Sequence, residues 1–165
     1  MEPIFRVDGD RVVTSPDAAG PWDPRMQHGS APAALVVWAA EAIPTPVPMR
    51  IARVTIDLMR PVPVAPLTVS SEILRDGRKI QLCGVRLLAD GVLVVSATVL
   101  KIKRQAAELP SDIAAVQVEL PGPDESMVEP GNLANSPFVK CISMRAARGR
   151  FGVMEIGRAS CRERV

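Results

Sequence analysis

The sequence is poor in aromatic residues, histidine and cysteine. Aromatic residues make up 3% of its 165 residues, there is no tyrosine, and His28 is the single histidine. The three cysteines are Cys83, Cys141 and Cys161, an odd number without the paired spacing of a metal site or a disulfide framework. We therefore expect no bound metal ion, and any chemistry that needs an imidazole must use His28.

The charge balance and the apolar runs exclude further classes of protein. Twenty basic residues face 18 acidic ones, and the net charge of +2 is too small to indicate nucleic-acid binding. The longest apolar run, residues 31–40, is too short to cross a bilayer, so we expect no membrane span. Residues 1–3 carry no feature of a secretory signal, which leads us to expect a cytoplasmic protein.

Composition divides the chain into four segments. Residues 1–104 show the periodic patterns of one folded domain, and the proline-rich residues 105–136 indicate a linker. Apolar residues resume in 137–154, which we interpret as the opening strand of a truncated second domain. Residues 155–165 resemble a translated sequencing adapter, so we expect a non-native tail and a natural chain that continues beyond Met154.

Apolar periodicity in the first domain predicts two short strands, one helix, and then a four-strand antiparallel meander. Ser30 is the expected N-cap of the helix, Pro32 suits its first turn, and a proline stop places its end at about Ile43. Because Glu41 is its only charged residue, we expect the helix to be buried on every side. The predicted strands are residues 4–7, 11–14, 50–59, 67–74, 79–88 and 92–102.

The loop of residues 20–29 is the strongest functional signal. It contains two prolines and Trp22, and it runs through His28 and Gly29 directly into the apolar helix. This arrangement brings a polar side chain and the N–H groups of Gly29 and Ser30 to a helix N-terminus, where they suit an oxyanion. Two alternatives stay open: His28 caps the helix or packs under Trp22, and Gly29 only permits a tight turn.

Five stretches together resemble the thioesterase-like hot-dog proteins, specifically the type II acyl-CoA thioesterase group with two tandem hot-dog domains. The stretches are Gly20-Pro-Trp-Asp-Pro-Arg25, Gln27-His-Gly29, Pro32-Ala-Ala-Leu35, Val54-Thr-Ile-Asp-Leu-Met-Arg-Pro-Val-Pro63 and Ala89-Asp-Gly91. The resemblance covers about residues 3–103 well and residues 137–152 loosely.

The resemblance implies an α+β hot-dog fold, in which an antiparallel sheet wraps around one central buried helix. It also implies hydrolysis of a fatty acyl-CoA thioester to free acid and CoA, without metal or cofactor apart from the coenzyme A of the substrate. In two-domain members the groups that orient the attacking water lie mostly in the second domain. We therefore expect a poorly active fragment that forms a homo-oligomer through sheet pairing.

The candidate site has a catalytic and a binding part. His28, Gly29 and Ser30 are the candidate catalytic residues, although Ser30 stands where the family commonly has glycine. Trp22, Met26 and Arg60 are the candidate substrate-binding residues. For Met26 the alternative to lining an acyl path is core filling, and for Arg60 the alternative to contacting CoA phosphates is a position facing water.

A second function stays open. Single-domain hot-dog thioesterases often carry an acid on the helix, and this helix has only Glu41, near its end. Without a self-sufficient active site, the chain is alternatively a non-catalytic module that binds an acyl group or acyl-CoA, or that serves assembly. The hydratase branch of the fold is less favoured, because the Asp23 that precedes His28 lies in a proline-flanked turn.

Overall fold

The computed structural model describes residues 3–106, 120–122, 124–128, 136–143 and 145–147. The expected adapter-derived tail, residues 148–154 and most of the predicted linker lie outside the described residues. In chain order the main elements are β1 (Phe5–Asp8), β2 (Arg11–Thr14), α1 (Ser30–Glu41), β3 (Met49–Leu58), β4 (Leu67–Asp76), β5 (Ile80–Ala89), β6 (Val92–Lys103), β7 (Met127–Val128), α2 (Pro137–Lys140) and β8 (Arg145–Ala146).

Six of these strands form one antiparallel sheet in the order β1-β2-β4-β5-β6-β3. The prediction of a four-strand meander is right for β4, β5 and β6 but wrong for β3, which pairs with β6 at the opposite edge. The proline-rich residues 59–66 between β3 and β4 allow this crossing. Three strand spacings amount to about 14 Å, and eight residues reach about 26 Å when extended.

The helix α1 packs on one face of the sheet, chiefly on β5 and β6. One stripe of the helix is fully buried and includes Leu35 and Val36, which join Val85 and Val99 in the core. Burying each such side chain stabilises the fold by about 1.5–3 kcal/mol. A sheet with one helix across it confirms the predicted fold class.

The helix is not buried on every side, which corrects the expectation drawn from its composition. Ala34 is exposed and Trp38 is 49% exposed, although both belong to an almost uncharged helix. The reason is that a single sheet covers only one side of a helix. The opposite, apolar side of α1 is left uncovered by the described residues.

The carboxyl end of α1 is tied to the sheet by two buried polar side chains. Lys101 Nζ donates to the carbonyl of Ile43 at 2.9 Å, and Gln81 Nε2 donates to the carbonyl of Pro44 at 3.0 Å. Gln81 is fully buried and Lys101 is 3% exposed. These bonds satisfy carbonyl groups that follow the last helical turn, where the helix itself provides no donor.

The strand expected from residue 137 is a short helix instead. Pro137 begins α2, because its fixed φ suits the first helical position. The turn packs beside the start of α1: Phe138 is 5% exposed and lies in an apolar cluster with Ala18 and Ala31. Among the residues described after α2, a strand is found at Arg145–Ala146, which pairs with β7.

Candidate active site at the start of the helix

The loop that precedes α1 is closed at its base. Gly20 N–H donates to the carbonyl of Met26 at 2.9 Å, and His28 N–H donates to the carbonyl of Ala18 at 2.8 Å. A Cβ at Gly20 would lie 3.4 Å from the backbone of His28, so the two sides of the loop approach each other closely there. Trp22, near the tip, is 93% exposed.

The loop is also bonded to the segment that joins β3 to β4. Gln27 N–H donates to the carbonyl of Val62 at 2.8 Å, and Val64 N–H donates to the carbonyl of Arg25 at 2.7 Å. The Gln27 side-chain amide adds a bond of 2.8 Å to the carbonyl of Pro63. Two of the stretches that carry the family resemblance are therefore neighbours in space, and Gln27 joins them.

The N-cap position of α1 lies one residue earlier than predicted, and the side chain of His28 caps the helix. Gly29 is the N-cap residue and makes no side-chain cap, while Ser30 is the first helical residue and is exposed. His28 Nδ1 accepts from Ser30 N–H at 3.2 Å, and the His28 carbonyl accepts from Ala31 N–H at 2.8 Å. Ser30 as N-cap is thus wrong: the helix already begins at Ser30, and the imidazole of His28 accepts from its first N–H.

The Gly29 N–H is left without a protein acceptor among the described residues. Gly29 is exposed, and the nearest atom to a Cβ built on it is Leu58 Cδ1 at 3.8 Å. Leu58 and Met59 at the end of β3 are 54% and 57% exposed. A free amide at a helix N-terminus beside exposed apolar side chains is suited to an acyl carbonyl oxygen.

Asp23 is a structural turn residue. Its carboxylate accepts from the Arg25 backbone N–H at 2.9 Å, from Nε at 3.1 Å and from a second guanidinium nitrogen at 2.9 Å. The hydrogen bonds to Arg25 lower the pKa of Asp23, and the same pair raises the pKa of Arg25. A carboxylate held ionised in this way is a poor general base.

The remaining predicted site residues, Met26 and Arg60, differ in burial and in their contacts. Met26 is half-buried and forms a bridge with Pro63. Arg60 is exposed on the β3–β4 connection, with its backbone N–H 3.4 Å from the carbonyl of Val94. The structure therefore brings His28, Gly29 and Ser30 together, while the side chains of Trp22 and Arg60 face solvent.

Sequence reasoning missed Phe138. Its ring stacks on the imidazole of His28 with centroids 4.8 Å apart and planes 10° apart. The two residues are far apart in the sequence, and no spacing or motif connects them. Among the described residues, no group of three His, Cys, Asp or Glu side chains is placed to hold a metal ion.

The fold is the hot-dog fold, which the chain shares with several solved structures. A protein of unknown function from Alicyclobacillus acidocaldarius is 23% identical, with a TM-score of 0.58 over 80% of this chain and 49% of that one. A provisionally assigned thioesterase from Novosphingobium aromaticivorans is 23% identical, with a TM-score of 0.61 over 88% of this chain and 58% of that one. The chain thus spans about half the length of these proteins.

The family follows from the sequence itself. Residues 18–102 match the family described as the acyl-CoA thioesterase N-terminal domain, and the chain belongs to it. No curated protein is similar enough to count as a match. Within the described part of the chain, no helix is long and apolar enough to cross a membrane.

Proposed function

We propose that this chain is the N-terminal part of a type II acyl-CoA thioesterase, which hydrolyses a fatty acyl-CoA to free acid and CoA. Membership of the acyl-CoA thioesterase N-terminal domain family supports the reaction class. The observation that carries the proposal is the unengaged Gly29 N–H at the start of α1, next to the oriented imidazole of His28.

In this proposal the thioester carbonyl oxygen accepts a hydrogen bond from Gly29 N–H. When water attacks the carbonyl carbon, negative charge develops on that oxygen, and the amide and the N-terminal end of the helix dipole stabilise it. Ser30 contributes by holding His28 through its N–H rather than by donating to the substrate. The reaction then needs no metal and no cofactor besides the CoA of the substrate.

The substrate-binding roles extend from the same corner. Met26, Leu58 and Met59 provide adaptable apolar contacts for the acyl chain. Trp22 and Arg60 remain candidates for contacts with the substrate in the assembled protein.

A basic surface lies at the other end of the sheet. Two open depressions of about 540 and 680 Å³ share Lys103 in their linings. The other basic residues that line them are Arg50, Arg75, Arg78, Lys79 and Arg104. None of these side chains forms an ion pair with another described residue, so their charge is available to an anion.

The groups that activate water belong, in this proposal, to a second hot-dog domain. We assign residues 1–104 to the first domain, residues 105–136 to a linker and residues 137–154 to the opening of the second. The free edge of β3 and the exposed apolar side of α1 support pairing with that domain or with a second copy. The protein is proposed to act in the cytoplasm.

Thiol release from acyl-CoA tests the proposal on two proteins. One is this chain, and the other is the extended protein, defined as this chain continued through a complete second hot-dog domain. We expect turnover by the extended protein and little by the chain alone. Equal activity of both would refute the need for a second domain. Inactivity of the extended protein on every acyl-CoA would refute the proposal that it is a thioesterase.

A non-catalytic acyl-CoA-binding or assembly module is the second candidate. It is favoured because neither of the carboxylates nearest in sequence to the site is placed to activate water. Asp23 is held by Arg25, and Glu41 lies at the far end of α1, about 16 Å away along the helix axis. Tight binding of a non-hydrolysable acyl-CoA by the extended protein without any turnover of the thioester would establish this module.

A further inference from the structure

Residues 136–142 lie against the corner that contains the candidate site. Ser136 is fully buried, and its hydroxyl donates to the carbonyl of Ala19 at 3.1 Å. The backbone N–H of Phe138 donates to the same carbonyl at 3.2 Å. This short segment, beyond the part of the chain that the family match covers, is therefore anchored to the base of the loop that carries His28.

The imidazole of His28 is held at one edge and on one face. At its edge, Nδ1 accepts from Ser30 N–H at 3.2 Å. On its face, the Phe138 ring stacks nearly parallel at 4.8 Å, within the range of favourable aromatic pairs. A neutral imidazole has one donor and one acceptor nitrogen, so an accepting Nδ1 places the proton on Nε2.

We propose that Phe138 is a positioning residue, which holds His28 so that Nε2–H is presented as a hydrogen-bond donor to an oxygen of the ligand. The bond to Ser30 selects the tautomer, and the stacked ring prevents the imidazole from rotating away from that bond. Nε2 has no acceptor among the described residues, so a ligand oxygen displaces no protein partner. With the thioester carbonyl as that oxygen, the inference rests on the proposed function.

The tautomer can be measured without any substrate, because His28 is the only histidine of the chain. Long-range ¹H–¹⁵N correlation spectra at alkaline pH distinguish a protonated from an accepting ring nitrogen. The expected result is a single Nε2–H tautomer in the unmodified chain. A protonated Nδ1, or an even mixture of tautomers, would overturn the proposal whatever the protein hydrolyses.

Two substitutions distinguish the effect of the stacked aromatic ring on His28 from the effect of burying an apolar side chain there. Phe138→Leu keeps an apolar side chain but loses the stacking face, and we expect the spectrum to shift towards the tautomer mixture of a free histidine. Phe138→Tyr keeps the ring and should preserve the single tautomer. Val139→Ala, in the same turn, is the control for weakened packing, since Val139 is 8% exposed and has no ring contact with His28.

Kinetics of the extended protein supply the second readout. We expect Phe138→Leu to lower kcat about 10- to 100-fold with little change in KM, because a misplaced donor weakens the transition state. In a His28→Ala background the same substitution should have no further effect on kcat, since Phe138 acts through His28. Independent, multiplying effects of the two substitutions would contradict the positioning role. If the extended protein has no activity at all, the spectra still decide the proposal.

Discussion

The two ends of α1 are built in opposite ways. At the carboxyl end, buried Lys101 and Gln81 donate to the carbonyls of Ile43 and Pro44. At the amino end, the Gly29 N–H has no acceptor among the described residues and is exposed. One end is therefore closed by protein groups, and the other offers a donor.

The difference shows how one helix serves both stability and binding. A buried polar side chain without a partner costs about 1–3 kcal/mol, and Lys101 and Gln81 avoid this cost by donating to the closed end. An exposed N–H is satisfied by water, which a ligand oxygen can replace without breaking any bond within the protein. The bonds at the closed end fix the position of the helix, and the fixed helix holds the Gly29 N–H in place for a ligand at the open end.

The largest difference between the two ends of α1 is expected in the rate of cysteine labelling, because one cysteine lies near each end. Cys83 is fully buried and donates to Gln81 Oε1 at the closed end, whereas half-buried Cys141 follows α2 beside the open end. Burial raises the pKa of the Cys83 thiol, and the thiolate is the reactive form. With Cys161 replaced by serine, Cys83 should react with a thiol reagent about 1,000-fold more slowly than Cys141.

Labelling in urea is the control, since both thiols should then react alike. Comparable rates in the folded chain would mean that Cys83 becomes accessible to the reagent as readily as Cys141.

The raised pKa of Cys83 also has a consequence for stability. Because the unfolded chain ionises this thiol at a lower pH than the folded chain does, the contribution of Cys83 to stability falls as alkaline pH rises.

Removing the free amide should cause the next largest effect. The φ of Gly29 is −55°, which proline can adopt, so Gly29→Pro deletes the N–H with little change of local backbone. In the extended protein we expect kcat for acyl-CoA hydrolysis to fall about 100- to 1,000-fold, the usual cost of one lost oxyanion donor.

Gly29→Ala is the matched variant, since it keeps the N–H and its Cβ meets only Leu58 Cδ1 at 3.8 Å. It should lose far less activity than Gly29→Pro. Equal losses in the two variants, with circular dichroism showing both folded, would locate the oxyanion donor elsewhere.

Stability should depend on the closed end. Lys101→Met removes the donor to the Ile43 carbonyl, and we expect the free energy of unfolding in urea to fall by about 1–3 kcal/mol. Lys103→Met, two residues along β6 and exposed, is the control and should change it by less than about 0.5 kcal/mol. A similar loss in both variants would show that removing positive charge from β6, rather than losing the bond to the helix end, lowers the free energy of unfolding.

The smallest effect concerns the uncovered side of α1. If this side pairs with a second copy, Trp38→Lys should raise the dissociation constant at least about tenfold, which corresponds to about 1.4 kcal/mol. Sedimentation velocity over a range of concentrations measures it. Val92→Lys, at a similarly exposed apolar residue in the β5–β6 hairpin, is the control. A chain that stays monomeric at high concentration would contradict self-association.

Much of the fold could be predicted from local patterns. Strand β2 has the predicted bounds, and the predicted alternation correctly placed Val54 and Ile56 on the face of β3 that packs against the core. Asp90 and Gly91, with positive φ, form the predicted hairpin turn. These features depend on residues close together in the chain, which is why their spacing was sufficient.

Less of the candidate site could be predicted. The motif placed His28 and Gly29 at the start of the helix, and the alternative that His28 caps the helix agrees with its bond to Ser30. Gln27 was part of the motif, but its bond to Pro63 depends on how the β3–β4 connection folds back. Phe138 had no local signal at all.

The sequence by itself determined the six strands of the main sheet, the β5–β6 turn, the apolar helix and the glycine that precedes it. Tertiary structure alone decided that β3 crosses to the far edge, that Lys101 and Gln81 close one end of α1, and that Phe138 stacks on His28 at the other. The physical reason is that backbone periodicity is local, whereas contacts between distant residues depend on how the sheet curves around the helix.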